Sequence, residues 1–347
     1  MERLKTVVWL TSLLAMLLSA CGTTPTDSRD GNSVNLILAG YTTPREAYAE
    51  IIPLFQAQWL EETGQTVTFE ESYQGSGAQS RAVVEGFEAD IVALSLETDI
   101  TRIEEAGLIT HDWKAALPNN GMVSTSVVAF AVRAGNPLGI ADWADLGEAG
   151  VEVLTPNPAT SGGAMWNILA LYGAALRGQV EGVAADDADD ARAFMVSVLA
   201  NVTVMDDSAR DSITNYEQGI GDVAITYENE ILVGQQAGID YEMVIPTSTI
   251  LIENPVAVVD EYVDEHGTRE VAEAFVDFLF TPEAQEIFAQ YGLRSIDPDV
   301  AAATVDQYPP VADLFTIEFF GAWPQARADI FSETGVFTIA LQEVQGE

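Results

Sequence analysis

The chain has 347 residues, enough for one large domain or two lobes with buried cores, and 48 % of them are apolar, as in globular proteins. Fifty-four Asp and Glu face fourteen Lys and Arg, a formal net charge of −40, which argues against a nucleic-acid partner on electrostatic grounds. Cys21 is the only cysteine, so no disulfide can form within the chain.

Arg3 and Lys5 precede an apolar run over residues 6–18, and Leu18-Ser19-Ala20-Cys21 follows. An apolar run this short, with a basic front and small residues behind it, reads as a secretory signal over residues 1–20, not as a spanning helix. The Leu-Ser-Ala-Cys ending resembles the bacterial lipoprotein signal, in which the cysteine is lipidated and becomes the new N-terminus. Cys21 is therefore the expected membrane anchor. Residues 21–33 are rich in Gly, Thr, Ser and Asp and read as a flexible tether. Beyond the signal Lys114 is the only lysine, and so acidic a surface suggests a high-salt habitat, where screening removes most of the self-repulsion.

Residues 34–41 read as a buried first strand. A helix follows, with Thr43 as cap, Pro44 at its first position and Glu46 closing a capping box; it runs to about Leu60, kinks at Pro53 and stops at Gly64. Residues 67–71 form a second strand. The turn Gly75-Ser76-Gly77-Ala78-Gln79 then opens a helix, with Ser76 and Gln79 spaced as a capping box, and residues 89–94 form a third strand. Residues 125–132 make an apolar strand ending at Arg133-Ala134-Gly135-Asn136-Pro137, an expected crossing between lobes; residues 244–246 and 255–259 look like the return. Further strands are expected at 151–155, 202–205 and 222–227, and further helices opening with Asp206-Asp207-Ser208-Ala209-Arg210 and ending at Gly219, over 268–280 and from Thr281-Pro282. Such alternation argues for mostly parallel sheets flanked by helices, where ligands sit beyond the carboxyl ends of the strands.

One stretch stands out. Asn157-Pro158-Ala159-Thr160-Ser161-Gly162-Gly163-Ala164 runs straight into an apolar helix. A helix start leaves backbone N–H groups without intrahelical partners, and the macrodipole adds partial positive charge there. Gly162 and Gly163 carry no side chain to hold a ligand off, and Ser161 adds a hydroxyl, so the turn is either a capped helix or an anion cradle of neutral groups. Catalytic chemistry is poorly supplied. His111 and His266 read as exposed, and no nucleophile elbow surrounds Ser76 or Ser161. No phosphate loop with Lys and no His-Glu-His set occurs, and the acidic run 186–190 reads as a solvated helix start, not a calcium loop. Neither a cofactor nor a metal is expected.

In order and spacing, the chain resembles the sulfate- and thiosulfate-binding proteins of bacterial ABC importers over about residues 34–340. The resemblance runs through Gly75-Ser76-Gly77-Ala78-Gln79, Glu88-Ala89-Asp90, Arg133-Ala134-Gly135-Asn136-Pro137, Asn157-Pro158, Thr160-Ser161-Gly162-Gly163-Ala164, Glu228-Asn229-Glu230 and Pro282-Glu283-Ala284-Gln285. It implies an α/β, two-lobed periplasmic-binding-protein type II fold. Each lobe would be a mostly parallel sheet flanked by helices, with 34–128 plus 252–347 in one lobe and 129–251 in the other. It implies a dehydrated anion held by the backbone at Thr42, Ser76, Gly162, Gly163 and Ala209, the Ser161 hydroxyl and a group from Tyr227. It also implies a monomer, anchored outside the cytoplasm, that hands its ligand to an ABC permease. The family commonly has Asp at Thr42, Trp at Tyr227 and Arg at Met165, so selectivity among sulfate, thiosulfate, phosphate and other oxyanions stays open. A secreted serine esterase or phosphatase using Ser76 or Ser161 is the alternative of another class.

Overall fold

The structure is a computed structural model that describes residues 32–346, so the expected signal and Cys21 lie outside the described residues. Its strands are β1 (Ser33–Tyr41), β2 (Thr66–Gln74), β3 (Ile91–Ala93), β4 (Met122–Arg133), β5 (Val153–Pro156), β6 (Val202–Asp206), β7 (Val223–Tyr227), β8 (Tyr241–Val244), β9 (Ser248–Val258) and β10 (Asp313–Phe315). They hydrogen-bond in the order β2-β1-β3-β9-β4-β7-β5-β6, with β10 beside β9 and β8 beside β4. The groups β2-β1-β3 and β7-β5-β6 are each internally parallel, as the strand–helix alternation predicted.

Between those groups run the two longest-reaching strands, β4 and β9, antiparallel to each other. The first half of β4 pairs with β9, Ser126 opposite Ile252, and its second half pairs with β7, Phe130 opposite Ile225. The crossings between the two lobes are thus strands. The 133–137 segment, expected as a crossing, is instead a turn at the far end of β4, with Asn136 at φ 42° and Gly139 N–H donating to Asn136 O.

Alternation along the strands feeds a core on each face of each sheet. Leu36, Leu38, Ile91 and Ala93 pack with Tyr48, Ile51, Phe55, Phe275 and Phe288, whereas Ala39 and Val92 face Val83, Ile100 and Trp113. In the other lobe Val128, Phe130 and Val132 pack with Trp143, Trp166 and Leu169; Ala129 and Ala131 face Ile213, Tyr216 and Ile231. Each large apolar side chain buried in this way contributes about 1.5–3 kcal/mol.

Two local expectations are corrected. The Arg45–Thr63 helix ends at Gly64 (φ 72°) as read from the sequence and continues through Pro53, but no side chain caps its start. Glu46 does not close a capping box; it reaches Arg210 instead. Ser76 and Gln79 form no capping box either, because the Ser76 hydroxyl donates to Asp99 Oδ2 (2.6 Å) and the Gln79 side chain donates to Ser72 O (3.3 Å). Near the end of the chain, β10 pairs with β9 at Ser248–Ile250, and Phe315, Trp323, Ile330 and Phe337 join the core around Trp166. The Trp166 and Trp323 rings meet edge-on at 4.7 Å.

Candidate functional site

The predicted site residues follow the carboxyl ends of parallel strands. Thr42 follows β1, Ser76 lies two residues beyond β2, and Ser161, Gly162 and Gly163 lie a short turn beyond β5; Ala209 follows β6, and Tyr227 ends β7. This is the edge where open α/β sheets bind ligands. Ser161 caps the Gly162–Leu176 helix by accepting from Ala164 N–H (3.3 Å), and Ser208 caps the Ala209–Glu217 helix by accepting from Asp211 N–H (3.1 Å). Gly75 caps the Ser76–Val84 helix. Ser76, Gly162, Gly163 and Ala209 are therefore first-turn residues whose N–H groups have no intrahelical carbonyl to bond.

These starts meet one another. A Cβ on Gly163 would stand 2.8 Å from the Tyr227 ring and 3.4 Å from Ala209 Cβ; one on Gly162 would stand 2.7 Å from Ser95 Oγ. One on Gly75 would stand 2.7 Å from Thr160 O and 2.6 Å from Asp207 O. Glycine is needed at each because two helix starts and a loop approach within side-chain distance. Ser76, Ser161, Ala209 and Tyr227 are all buried. Thr42 is half-buried and stands farther out, in a cavity of about 450 Å³ shared with Arg45, Gly75, Thr160, Ser208 and Arg210.

Two residues missed in the sequence complete the arrangement. Ser95, just past β3, accepts through its carbonyl from Trp166 Nε1 (3.0 Å) and donates its N–H to Ser76 Oγ (2.9 Å). Its hydroxyl lies 2.6 Å from Tyr227 Oη. Only one of these hydroxyls donates to the other, so the pair keeps one O–H proton free for a further acceptor. Tyr41, at the end of β1, stacks obliquely on Tyr227 at 6.4 Å, and its buried hydroxyl has no partner among the described residues. A buried hydroxyl left unpaired costs about 1–3 kcal/mol, which a bound acceptor would recover. Burial pushes both phenols well above their ordinary range; the mutual influence of the tyrosines adds to this at Tyr41, and the Ser95 bond opposes it at Tyr227. Both remain protonated donors. A lone serine in the apolar run Ala93-Leu94-Ser95-Leu96, at a strand's carboxyl end, was the signal available in the sequence.

The lobes touch around this cluster. Ala78 N–H donates to Thr160 O (3.1 Å) and Arg81 Nη1 to Ala159 O (3.0 Å). Arg210 grips both carboxylate oxygens of Glu46 (2.5 and 2.9 Å) while its Nε donates to Glu230 Oε2 (2.7 Å). Burial raises the Glu46 carboxyl, but hydrogen bonds and charge from Arg210 outweigh it and hold the group below its ordinary value. Glu230 is pushed up by deeper burial despite the same arginine.

Neither serine has a histidine beside it. Ser76 Oγ is committed to Asp99, and the histidines, read from sequence as exposed, are half-buried on carboxylates elsewhere: His111 Nδ1 on Asp260 (2.8 Å) and His266 Nδ1 on Asp90 (2.9 Å). Among the described residues no helix is long and apolar enough to cross a membrane.

Comparison with known proteins matches residues 36–294 to the family described as bacterial extracellular solute-binding protein. The sulfate-binding protein of Synechocystis is 44 % identical over 97 % of each chain. The thiosulfate-binding protein of Pseudomonas aeruginosa is 36 % identical over 87 % of this chain and 90 % of its own. The solved sulfate-binding protein SubI of Mycobacterium tuberculosis superposes with a TM-score of 0.78 at 38 % identity, covering 86 % of this chain and all of that one. A periplasmic thiamin-binding protein shares the two-lobed fold at 14 % identity and a TM-score of 0.67, with 88 % of this chain and 96 % of that one covered. The chain thus belongs to the bacterial extracellular solute-binding proteins and, among them, to the sulfate- and thiosulfate-binding protein family of bacterial ABC importers.

Proposed function

We propose that the chain captures sulfate between its lobes and delivers it to an ABC permease. The observation that carries this reading is the meeting of three helix starts at the Ser95–Tyr227 hydroxyl pair, beside the unpartnered Tyr41 hydroxyl. In this reading the N–H groups of Thr42, Ser76, Gly162, Gly163 and Ala209, the Ser161 hydroxyl and the free proton of the Ser95–Tyr227 pair donate to the anion. Tyr41 adds a donor. About eight such bonds, at roughly 1.5–3 kcal/mol each to a charged ligand, outweigh much of the association cost of about 4–15 kcal/mol, so micromolar or tighter binding is expected.

The names of the relatives support sulfate first and thiosulfate second. A purely donating site rejects hydrogen phosphate, whose own O–H would find no acceptor; the hydroxyls here can also accept, so that rejection is weaker than for a cradle of N–H groups alone. Lobe closure is the step a transporter senses. We take the lobes as 34–128 with 252–310, and 129–251 with the tail from Asp313, hinged where β4 and β9 pair. Lipidation at Cys21 would hold the monomer on the outer face of the membrane, and a binding protein is favoured over an esterase because neither Ser76 nor Ser161 touches a histidine. Equilibrium dialysis of the mature chain at high salt against labelled sulfate, with thiosulfate, phosphate and molybdate as competitors, tests the assignment. Sulfate should be retained and displaced by thiosulfate before phosphate; retention of none of the four anions removes the reading.

A further inference from the structure

Of the fourteen Lys and Arg in this acidic chain, three arginines line one cavity of about 330 Å³ on the outer side of the Gly162 turn. They arrive from three places in the sequence. Arg81 ends the Ser76–Val84 helix, Arg102 lies in the Glu97–Glu105 helix, and Arg327 follows the Ala322–Ala326 helix of the tail that crosses to the second lobe. The same cavity is bordered by one carboxylate, Asp99, and by Ser161, Gly162 and Met165, so its arginines outnumber its acids three to one and one wall of it is the helix start that faces the cluster at Tyr227.

The charge there is incompletely paired. Arg102 donates to Asp99 Oδ1 (2.8 Å), and Asp99 is already bound by the Ser76 hydroxyl. Arg81 donates to the Ala159 carbonyl (3.0 Å), a neutral acceptor. Arg327 donates only to the Thr98 hydroxyl (3.1 Å), and no carboxylate lies within 4 Å of it among the described residues. Glu97 and Glu105 border the next cavity along, where Glu97 is taken by Lys114 (2.5 Å). Burial first, and then the neighbouring Arg102, lower the Arg327 guanidinium from its ordinary value, against the opposing pull of Asp99 and Glu105.

A surface of net charge −40 repels a dianion at long range, yet within a Debye length of about 8–10 Å the nearest charges dominate. We propose that the Arg81–Arg102–Arg327 cavity is an outer anion subsite, an encounter station that draws an inorganic dianion through the acidic field to the Gly162 helix start. The inference rests on the sulfate reading above. It assigns to the crossing tail a function that packing alone does not require: bringing Arg327 to the first lobe's arginines.

Stopped-flow fluorescence tests it, with Trp166, bonded to Ser95, as the reporter and sodium sulfate as the probe. In the wild-type chain the association rate should fall as sodium chloride is raised, the sign of local attraction, although the whole molecule carries charge of the same sign as sulfate. R327Q should slow association about three- to tenfold at the lowest salt that keeps the chain folded, leave dissociation within twofold, and lose most of the salt dependence. R327K should restore the rate, and R327E should slow it further. An association rate that rises with salt in the wild type, or an R327Q rate equal to the wild type's, overturns the subsite while leaving the sulfate reading intact. Absence of any sulfate-dependent transient in the wild type overturns the sulfate reading, and the subsite with it.

Discussion

Gly163 shows how closely residue identity is set where the helix starts meet. Its missing Cβ is the space taken by the Tyr227 ring, 2.8 Å away, so G163A must push the ring off the Ser95 hydroxyl. Sulfate affinity should fall at least tenfold, while the melting temperature drops by only a few degrees, since small overpacking costs about 1–3 kcal/mol. Calorimetric titration beside a thermal melt separates the two effects. His266 provides a pH-dependent term remote from the cradle. Burial lowers its pKa, but bonds to Asp90 and Glu88 outweigh that and raise it overall. A raised histidine stabilises the fold fully below its ordinary value near 6.5, and the contribution is lost as pH rises through the raised one. H266Q should therefore melt below the wild type at pH 6 and close to it at pH 9. That Ser161, Gly162 and Gly163 open an apolar helix was legible in the sequence, because a polar Gly-containing turn before an apolar run marks a helix start; the turn alone left a capped helix and an anion cradle both open. Ser95 and Tyr41 were not, because each sits at the end of an apolar strand and its role depends on a partner far along the chain.

At the scale of elements, strand–helix alternation was readable because burial on both faces of a parallel sheet leaves continuous apolar runs. The caps were less so: Glu46 has the spacing for a capping box but is drawn across to Arg210, a partner 164 residues away. That bridge joins the start of the Arg45–Thr63 helix to the start of the Ala209–Glu217 helix, so on the proposed division into lobes it would clasp one to the other. Because Arg210 holds the Glu46 carboxyl below 4.5, its contribution to closure is present above that value and lost as pH falls through the lowered one. E46Q should speed sulfate release about two- to fivefold at pH 7, as suits a half-exposed pair, with the difference shrinking toward pH 4. Stopped-flow displacement by thiosulfate measures it. The crossing of the tail was not readable, since the apolar spacing of Phe315, Trp323, Ile330 and Phe337 would suit either lobe.

The whole molecule sets a strongly acidic chain against an anionic ligand. The proposed cradle answers the resulting repulsion without a cation of its own: its donors are backbone N–H groups and hydroxyls, and the phenols among them titrate far above neutrality. None of these groups changes charge between pH 6 and 9. Isothermal titration of sulfate into the mature chain at those two pH values is the most direct test. One site per chain is expected, micromolar or tighter, with affinities equal within about threefold. No binding at either pH, or an affinity that falls tenfold or more between them, would contradict a cradle of neutral donors.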